Sequence, residues 1–371
     1  MRFLIVTPDF PTWDGGVAVW AEKLADFLTR GGHDVTVATP RQLDGDNAFD
    51  LRQKYKVHRL PNTKDRYLKY FLAAPRLKRF FRHGQFDQIL ALTWFPYANG
   101  ILRHAGSIPL TLFAHGNDFL EARWQRPFWK KRMQTAFAGA KNIIAVSRET
   151  DRVLRELIPG MANKIHILFP AVDPDEFVPG PPISGPPVLL SLGRIVARKG
   201  QDMVVRALPA ILKEFPEVEY WIAGRGSDAD RIKLLAAELG VQSQVRFLGL
   251  VDAAERVKLY QSCTAYLMPS RTIQDKGDFE GFGITYLEAN ACCKPVIGGR
   301  SGGVADAVLD GETGLLVDPN SSHDIAEKTL SLLRNPDRAR QLGCQGRERI
   351  VERSNWKSTT QQFLKILDHE H

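Results

Sequence analysis

Twice along this 371-residue chain, short apolar runs alternate with helical stretches, and a proline-rich break divides the two series. In the first series the strand-like runs are Phe3–Thr7, Asp34–Ala38, Val57–Leu60, Gln88–Ala91, Leu110–Phe113, Asn142–Val146 and Ile165–Leu168. Helical stretches fall at Val17–Arg30, Arg66–Arg82, Tyr97–His104, Phe128–Ala138 and Glu149–Ile158. Alternation of this kind predicts a parallel sheet covered by helices on both faces. Pro174, Pro179, Pro181, Pro182, Pro186 and Pro187, with Gly180 and Gly185, mark a linker. The second series has strands at Val188–Leu192, Glu219–Ala223, Val245–Leu248, Ala265–Met268, Pro295–Ile297 and Gly314–Val317. Its helices are expected near Gln201–Phe215, Ala229–Leu239, Ala253–Gln261, Ile284–Ala291 and Ser322–Leu333, and Ser354–Leu367 is helix-like. The predicted class is α/β, two Rossmann-like halves at 1–170 and 171–354 with ligands at the carboxyl ends of the strands.

Composition narrows the function classes. At 44% apolar and 25% charged the chain reads as a soluble globular protein, with no apolar run near the ~20 residues of a membrane helix. Phe3–Val6 reads as a first strand and not as a signal-peptide core, so a cytoplasmic location is expected. Cys263, Cys292, Cys293 and Cys344 form no C-x-x-C pair and are expected to be reduced structural thiols without zinc. Residues 1–170 carry 26 Lys and Arg against 15 Asp and Glu, and Arg52–Arg82 alone holds eleven bases and one acid, Asp65. Within it Tyr67–Phe71 and Leu77–Arg82 mix aromatics with cations, a pattern for an amphipathic helix on an anionic membrane surface or for a solvated basic face over core aromatics. No zinc-finger or RNP pattern accompanies it, so nucleic acid is not an expected partner.

The chemistry concentrates in Glu280-Gly281-Phe282-Gly283-Ile284-Thr285-Tyr286-Leu287-Glu288. A glycine turn feeding a helix start offers free backbone N–H groups and the positive end of the helix dipole. Two carboxylates beside it suit hydroxyl donors, which points to a ligand both polyhydroxylated and anionic. With this spacing the chain resembles the retaining family 4 glycosyltransferases of GT-B fold, whose signature is E-x(7)-E. The resemblance implies two Rossmann-like domains facing each other across a cleft, the first binding acceptor and the second nucleotide-sugar donor. It also implies a C-terminal helix, 355–371, crossing back to the first domain. Glu280 and the amides of Phe282, Gly283 and Ile284 would hold the donor sugar, and Glu288 the ribose.

Further segments match the same family. Gly193-Arg194-Ile195-Val196-Ala197-Arg198-Lys199-Gly200 follows a strand and matches G-R-x-x-x-x-K-G, in which Arg194 and Lys199 would bind the donor diphosphate and Arg198 is a bystander. Two cations there answer the charge developing on a leaving diphosphate. Pro8–Val17, with Gly15-Gly16, resembles the N-terminal glycine loop near diphosphate and acceptor. Together with Ser301-Gly302-Gly303 and the two glutamates, it is most similar to the phosphatidylinositol mannosyltransferase branch and its bacterial relatives. Ala114-His115-Gly116-Asn117-Asp118 matches H-G-x-[DE], where the His reaches the donor sugar and supports the transition state. Asp118 either meets the acceptor or caps the following turn. Gly224-Arg225-Gly226 lacks the third glycine and acid of a dinucleotide fingerprint and is either a nucleotide-side or a purely structural turn. Ser301–Gly303 and Asp310–Gly314 are given structural roles, and Arg271 is a candidate for phosphates or acceptor.

The expected activity is therefore hexosyl transfer with retention, from GDP-mannose or from a UDP-sugar such as UDP-glucose, to a lipid-linked or envelope-glycan hydroxyl. No cofactor is expected beyond the co-substrate, and no metal: no D-x-D pair has a metal-binding setting, and Arg194 and Lys199 take its place. A peripheral location at the inner face of the plasma membrane goes with that reading. A dinucleotide oxidoreductase shares the twin-Rossmann look but lacks its fingerprint, and a silent GT-B binding module would not need Glu280, Glu288, Arg194, Lys199 and His115 together.

Overall fold

The computed structural model describes residues 1–371 apart from 14, 43–44, 64, 66–67, 84–85, 121, 182–184, 274–277 and 369–371, and only the backbone of 69–71, 83, 117 and 122–123. Asp14, Arg66, Tyr67, Pro182 and the middle of the 270–279 stretch thus lie outside the described residues, as do the side chains of Tyr70 and Phe71. The chain forms two units, Met1–Pro170 with Trp356–His371, and Ala171–Asn355.

The first unit holds β1 (Arg2–Val6), β2 (Asp34–Pro40), β3 (Lys56–Leu60), β4 (Gln88–Ala91), β5 (Leu110–Ala114), β6 (Asn142–Ala145) and β7 (Ile165–Ile167). Their order is β3-β2-β1-β4-β5-β6-β7, with every pairing parallel. β4, β5 and β6 are buried along their whole length, as strands covered on both faces must be. The helices are α1 (Gly16–Arg30), α2 (Asp46–Asp50), α3 (Leu68–His83), α4 (Ala98–His104), α5 (Asn117–Leu120), α6 (Pro127–Gly139) and α7 (Arg148–Leu157).

The second unit repeats the plan with β8 (Val188–Leu192), β9 (Glu219–Ala223), β10 (Val245–Gly249), β11 (Ala265–Met268), β12 (Val296–Gly299) and β13 (Gly314–Val317), in the order β10-β9-β8-β11-β12-β13 and again parallel. Its helices are α8 (Gln201–Leu212), α9 (Ala229–Glu238), α10 (Ala253–Ser262), α11 (Ile284–Ala291), α12 (Val304–Ala307), α13 (Ser322–Arg334) and α14 (Pro336–Glu352). The last helix, α15 (Trp356–Asp368), belongs to the first unit. There Trp356 meets Trp20 at 5.0 Å between ring centroids and Phe363 meets Phe113 at 5.7 Å, an apolar seat for an amphipathic helix.

Two features depart from the sequence expectation. α14, the longest helix among the described residues, is not foreseen. Its start carries an N-cap signal, Asn335 accepting from the Arg338 amide with Pro336 following, but its buried face is built partly from glycine. Gly343 and Gly346 lie so close to the Cys293 carbonyl and the Asn290 side chain that a Cβ at either would collide, so the large apolar residues buried on that face are reduced to Leu342 and Ile350. The proline-rich linker is fastened to the second unit: Phe177 is buried, and Arg347 donates to the carbonyls of Phe177 and Ala291. Within the basic stretch Arg52–Arg82 the expected strand and helix both form, as β3 (Lys56–Leu60) and α3 (Leu68–His83).

Candidate active site

β8 and β11 are neighbouring parallel strands, so the loops leaving their carboxyl ends run side by side. The loop after β8 spans Gly193–Val196, a helical turn Ala197–Lys199, and Gly200, which has φ 76° and caps α8. A Cβ on Gly200 would strike the Pro269 carbonyl, and the Arg271 amide donates to the Arg198 carbonyl at 2.8 Å. This zipper brings Arg198 and Lys199 onto Glu280. Lys199 Nζ lies 2.6 Å and Arg198 NH1 2.7 Å from Oε2 of Glu280, and Arg198 Nε lies 2.8 Å from Asp278 Oδ1. From the other side the Gly303 amide donates to the Glu280 carbonyl at 2.8 Å, so Ser301–Gly303 braces the glutamate loop.

Charge follows geometry. Burial works against an ionised Glu280, but Lys199 and Arg198 outweigh it and pull the carboxyl down to about 2. Lys199 lies below its ordinary value, because burial and the nearby Arg198 and Arg194 charges outweigh the pull of Glu280. Oε1 of Glu280 accepts no hydrogen bond among the described residues, so the carboxylate is anchored by one oxygen and open at the other. Arg194 is exposed, and its guanidinium makes no hydrogen bond or ion pair among the described residues. Its loop is set by backbone: Gly193 donates to Ala223, Ile195 to Arg225, and a Cβ on Gly224 or Gly226 would hit the carbonyl of Gly193 or Ile195. Gly224-Arg225-Gly226 therefore buttresses the Arg194 loop.

Gly283 caps α11 with φ 94°, and a Cβ there would run into the Tyr286 ring, so only glycine fits. The helix begins without a side-chain cap. The amides of Gly283 and Ile284 have no backbone acceptor among the described residues, as the first turn of a helix leaves them. Glu288, on the second turn, is only 3% exposed. Its Oε2 accepts from the Tyr260 hydroxyl at 2.7 Å, and Arg256 lies 3.6 Å from Oε1. The two glutamates are thus differently prepared: Glu280 presents an open oxygen, and Glu288 is held by protein partners.

In the first unit His115 follows β5. Its amide donates to Asp118 Oδ1 at 2.9 Å, which gives Asp118 the role of turn cap. Burial pushes the imidazole down to about 4, against a bond to the Leu92 carbonyl that pulls it up. The ring is therefore neutral at pH 7, and Nε2 is shielded from solvent with no partner among the described residues. An orphaned buried acceptor of this kind costs about 1–3 kcal/mol, which an incoming hydroxyl would offset. Gly15 caps α1 without a side-chain bond, and nothing lies within 4 Å of a Cβ placed on Gly15 or Gly16, so ligand can reach this backbone. The loop before it is fixed by buried Arg59, 3.3 Å from Asp46 and 2.8 Å from Asp50, with Thr12 donating to Asp46 at 3.0 Å.

The structure gives two arginines protein partners that the sequence did not indicate. Arg198 is no bystander: it is 4% exposed and ion-paired to both Asp278 and Glu280. Arg271 is already engaged by Asp202 at 2.9 Å, which ties its guanidinium to the start of α8. The sequence reading also missed Tyr260 and Arg256, which no local pattern links to a glutamate 28 and 32 positions away. Two cavities among the described residues, of about 380 and 350 Å³, lie along α6 with Pro159–Met161 and at the Ala105–Leu110 turn with Lys164, and none of these site residues lines either. No group of three or more His, Cys, Asp or Glu arranged for a metal occurs among the described residues.

Residues 173–349 match the family described as Glycosyl transferases group 1, and 14–176 match Glycosyltransferase Family 4. Over 98% of this chain and 97% of the relative, the sequence is 32% identical to the GDP-mannose-dependent alpha-(1-6)-phosphatidylinositol monomannoside mannosyltransferase of Mycolicibacterium smegmatis. The protein of that name from Mycobacterium tuberculosis is 30% identical over 99% of this chain and 98% of its own. Among solved structures, sucrose-phosphate synthase from Thermosynechococcus elongatus superposes with a TM-score of 0.84 at 22% identity, covering 100% of this chain and 99% of that one. Anabaena HepE in complex with UDP and glucose gives 0.80 at 19% identity, with both chains fully covered. At these identities the two structures speak for the fold.

Proposed function

This chain belongs to the group 1, family 4 glycosyltransferases of GT-B fold, and from that premise we propose that it transfers mannose from GDP-mannose to a hydroxyl of a lipid-linked or envelope-glycan acceptor, with retention and without a metal ion. The observation that carries the chemistry is the Lys199–Glu280–Arg198 cluster: a carboxylate kept ionised by cations at 2.6 and 2.7 Å with its second oxygen open. An ionised carboxylate is an acceptor only, and so binds sugar hydroxyls.

In this reading Arg194 and Lys199 meet the charge that grows on the leaving diphosphate, and electrostatic stabilisation of that kind is the strongest aid open to a site without a nucleophile. The open amides of Gly283 and Ile284 join Glu280 on the sugar, and Phe282 packs the turn. Glu288, its Oε2 fixed by Tyr260, is the neighbour of the ribose. In the first unit the Gly15–Gly16 backbone approaches the diphosphate, and neutral His115 accepts from a sugar hydroxyl through Nε2. The acceptor hydroxyl attacks from the side the diphosphate leaves, and the departing phosphate oxygen takes its proton. Mannose and GDP are favoured by the full-length likeness to GDP-mannose-dependent enzymes.

A peripheral place at the inner face of the plasma membrane fits one surface of the first unit. On α3, Leu68 and Leu72 are exposed beside Arg76, Lys78, Arg79 and Arg82, while Ala73 and Leu77 face the core. Burial, then Lys78, Arg103 and Arg82, lowers His104, so the cations of α3 and α4 lie on one patch. Such a patch attracts anionic lipid at about 1 kcal/mol per cation. Among the described residues, no helix is long and apolar enough to cross a membrane. Flotation with phosphatidylserine vesicles checks this, and protein that stays in the soluble fraction refutes it.

A thermal-shift screen of GDP, UDP, ADP and TDP and their sugars tests the donor. GDP and GDP-mannose at 100 times Kd should add about 2.7 kcal/mol of stability. Stabilisation by UDP compounds instead would overturn the donor assignment, and no stabilisation by any would overturn the catalytic reading.

A further inference from the structure

We propose that Arg198 is a positioning residue for sugar transfer: pinned by Asp278, it fixes Oε2 of Glu280 and leaves Oε1 directed to the donor hydroxyls whether or not Lys199 is occupied elsewhere. The inference rests on the donor-site reading above and goes beyond it, since that reading uses Arg198 only to keep Glu280 ionised and gives it no part in aiming the carboxylate.

The need for such a residue follows from a conflict in the site. Lys199 has one ammonium group, and it lies 2.6 Å from Glu280. Binding a diphosphate draws that same group toward phosphate oxygens, and a flexible point charge follows the stronger anion. Glu280, partly buried, would then lose the partner that keeps it ionised and aimed. Arg198 removes the conflict because it cannot follow. Its guanidinium is 4% exposed, it spans Asp278 at 2.8 Å and Glu280 at 2.7 Å, and its carbonyl is held by the Arg271 amide at 2.8 Å. Arg271 is itself tied to Asp202 at 2.9 Å. A planar guanidinium with a hydrogen bond to Glu280 and an ion pair to Asp278 is held between two carboxylates. The two cations on Glu280 thus divide the work: Lys199 is free to leave for phosphate, and Arg198 stays.

The test compares Arg198→Met and Arg198→Lys with wild type, using GDP binding by calorimetry and GDP-mannose turnover across pH. Loss of one charged hydrogen bond to Glu280 should lower kcat/KM for the donor about 10- to 100-fold in Arg198→Met, with the Kd for GDP within about 3-fold of wild type, since no diphosphate contact is removed. The acid limb of the rate profile should move to higher pH, because Glu280 is then held by Lys199 alone. Arg198→Lys should recover part of the rate and part of the limb. An unchanged kcat/KM, an unchanged acid limb, or a fall in GDP affinity that parallels the loss of rate would each overturn the proposal. Should Arg198→Met fail to fold, Asp278→Asn frees the guanidinium while leaving Glu280 both cations. A rate loss with unchanged GDP affinity supports the positioning role, and wild-type behaviour refutes it. If wild type binds GDP and turns over donor while these variants match it, only the role of Arg198 falls. If wild type binds no nucleotide at all, the donor reading falls first.

Discussion

Replacing Glu280 with glutamine removes a charge that two buried cations share, and its cost can be worked from the site. Glu280 Oε2 lies 2.6 Å from Lys199 and 2.7 Å from Arg198, and the side chain is 12% exposed, so solvent screens little. The fall of its carboxyl from 4.5 to about 2 corresponds to roughly 3 kcal/mol at ~1.4 kcal/mol per pKa unit. Burial keeps Lys199 below its ordinary value and takes part of that back. Leaving cations uncompensated works the other way, and breaking a buried pair typically costs about 3–5 kcal/mol. The expected loss for Glu280→Gln at pH 7 is therefore about 2–4 kcal/mol in the second unit. The readout is hydrogen exchange of the β8 and β11 amides, which separates this unit from the first. The pH dependence fixes the cause. A carboxyl with a depressed folded value stabilises fully above its unfolded value, near 4.5, and loses that contribution as pH falls toward 2. The difference between wild type and variant should shrink steadily as pH drops from about 5 toward 2. A difference below about 1 kcal/mol, or one that stays constant over that range, would refute the reasoning.

Other outcomes follow from the same geometry. Lys199→Ala should lower turnover by about 10²-fold or more through loss of the diphosphate cation, and near-wild-type kcat in a steady-state assay would exclude that role. His115, held near 4 by burial, should leave no inflection near 6.5 in the rate profile. Its neutral form is favoured in the fold, so stability should fall as pH drops from about 6.5 toward 4, and His115→Gln should flatten that slope. Gly283→Ala combines φ 94° with a collision against Tyr286, and should cost about 2 kcal/mol or more and weaken donor binding, as read by thermal shift.

The order of strands and helices lies in the sequence because it is local chemistry. Buried parallel strands must be apolar throughout, and β8, β9, β11 and β13 begin and end where the apolar runs do. The motif glycines are readable for the same reason, since Gly200 and Gly283 occupy backbone conformations or close approaches that other residues cannot. α14 escaped because two positions of its buried face, Gly343 and Gly346, are glycines at close approaches, which leaves only Leu342 and Ile350 as large apolar residues and a thin hydrophobic period. What only the tertiary structure decided is which charges meet. Arg198 and Lys199 are adjacent in sequence to one another but 82 and 81 positions from Glu280, and β8 lying beside β11 is what closes that distance. Tyr260 on Glu288 depends likewise on α10 packing near α11. A motif specifies which side chains stand at a loop. Whether each is open to ligand, or taken by a neighbour from another strand, is set by long-range pairing and burial, which no local spacing encodes.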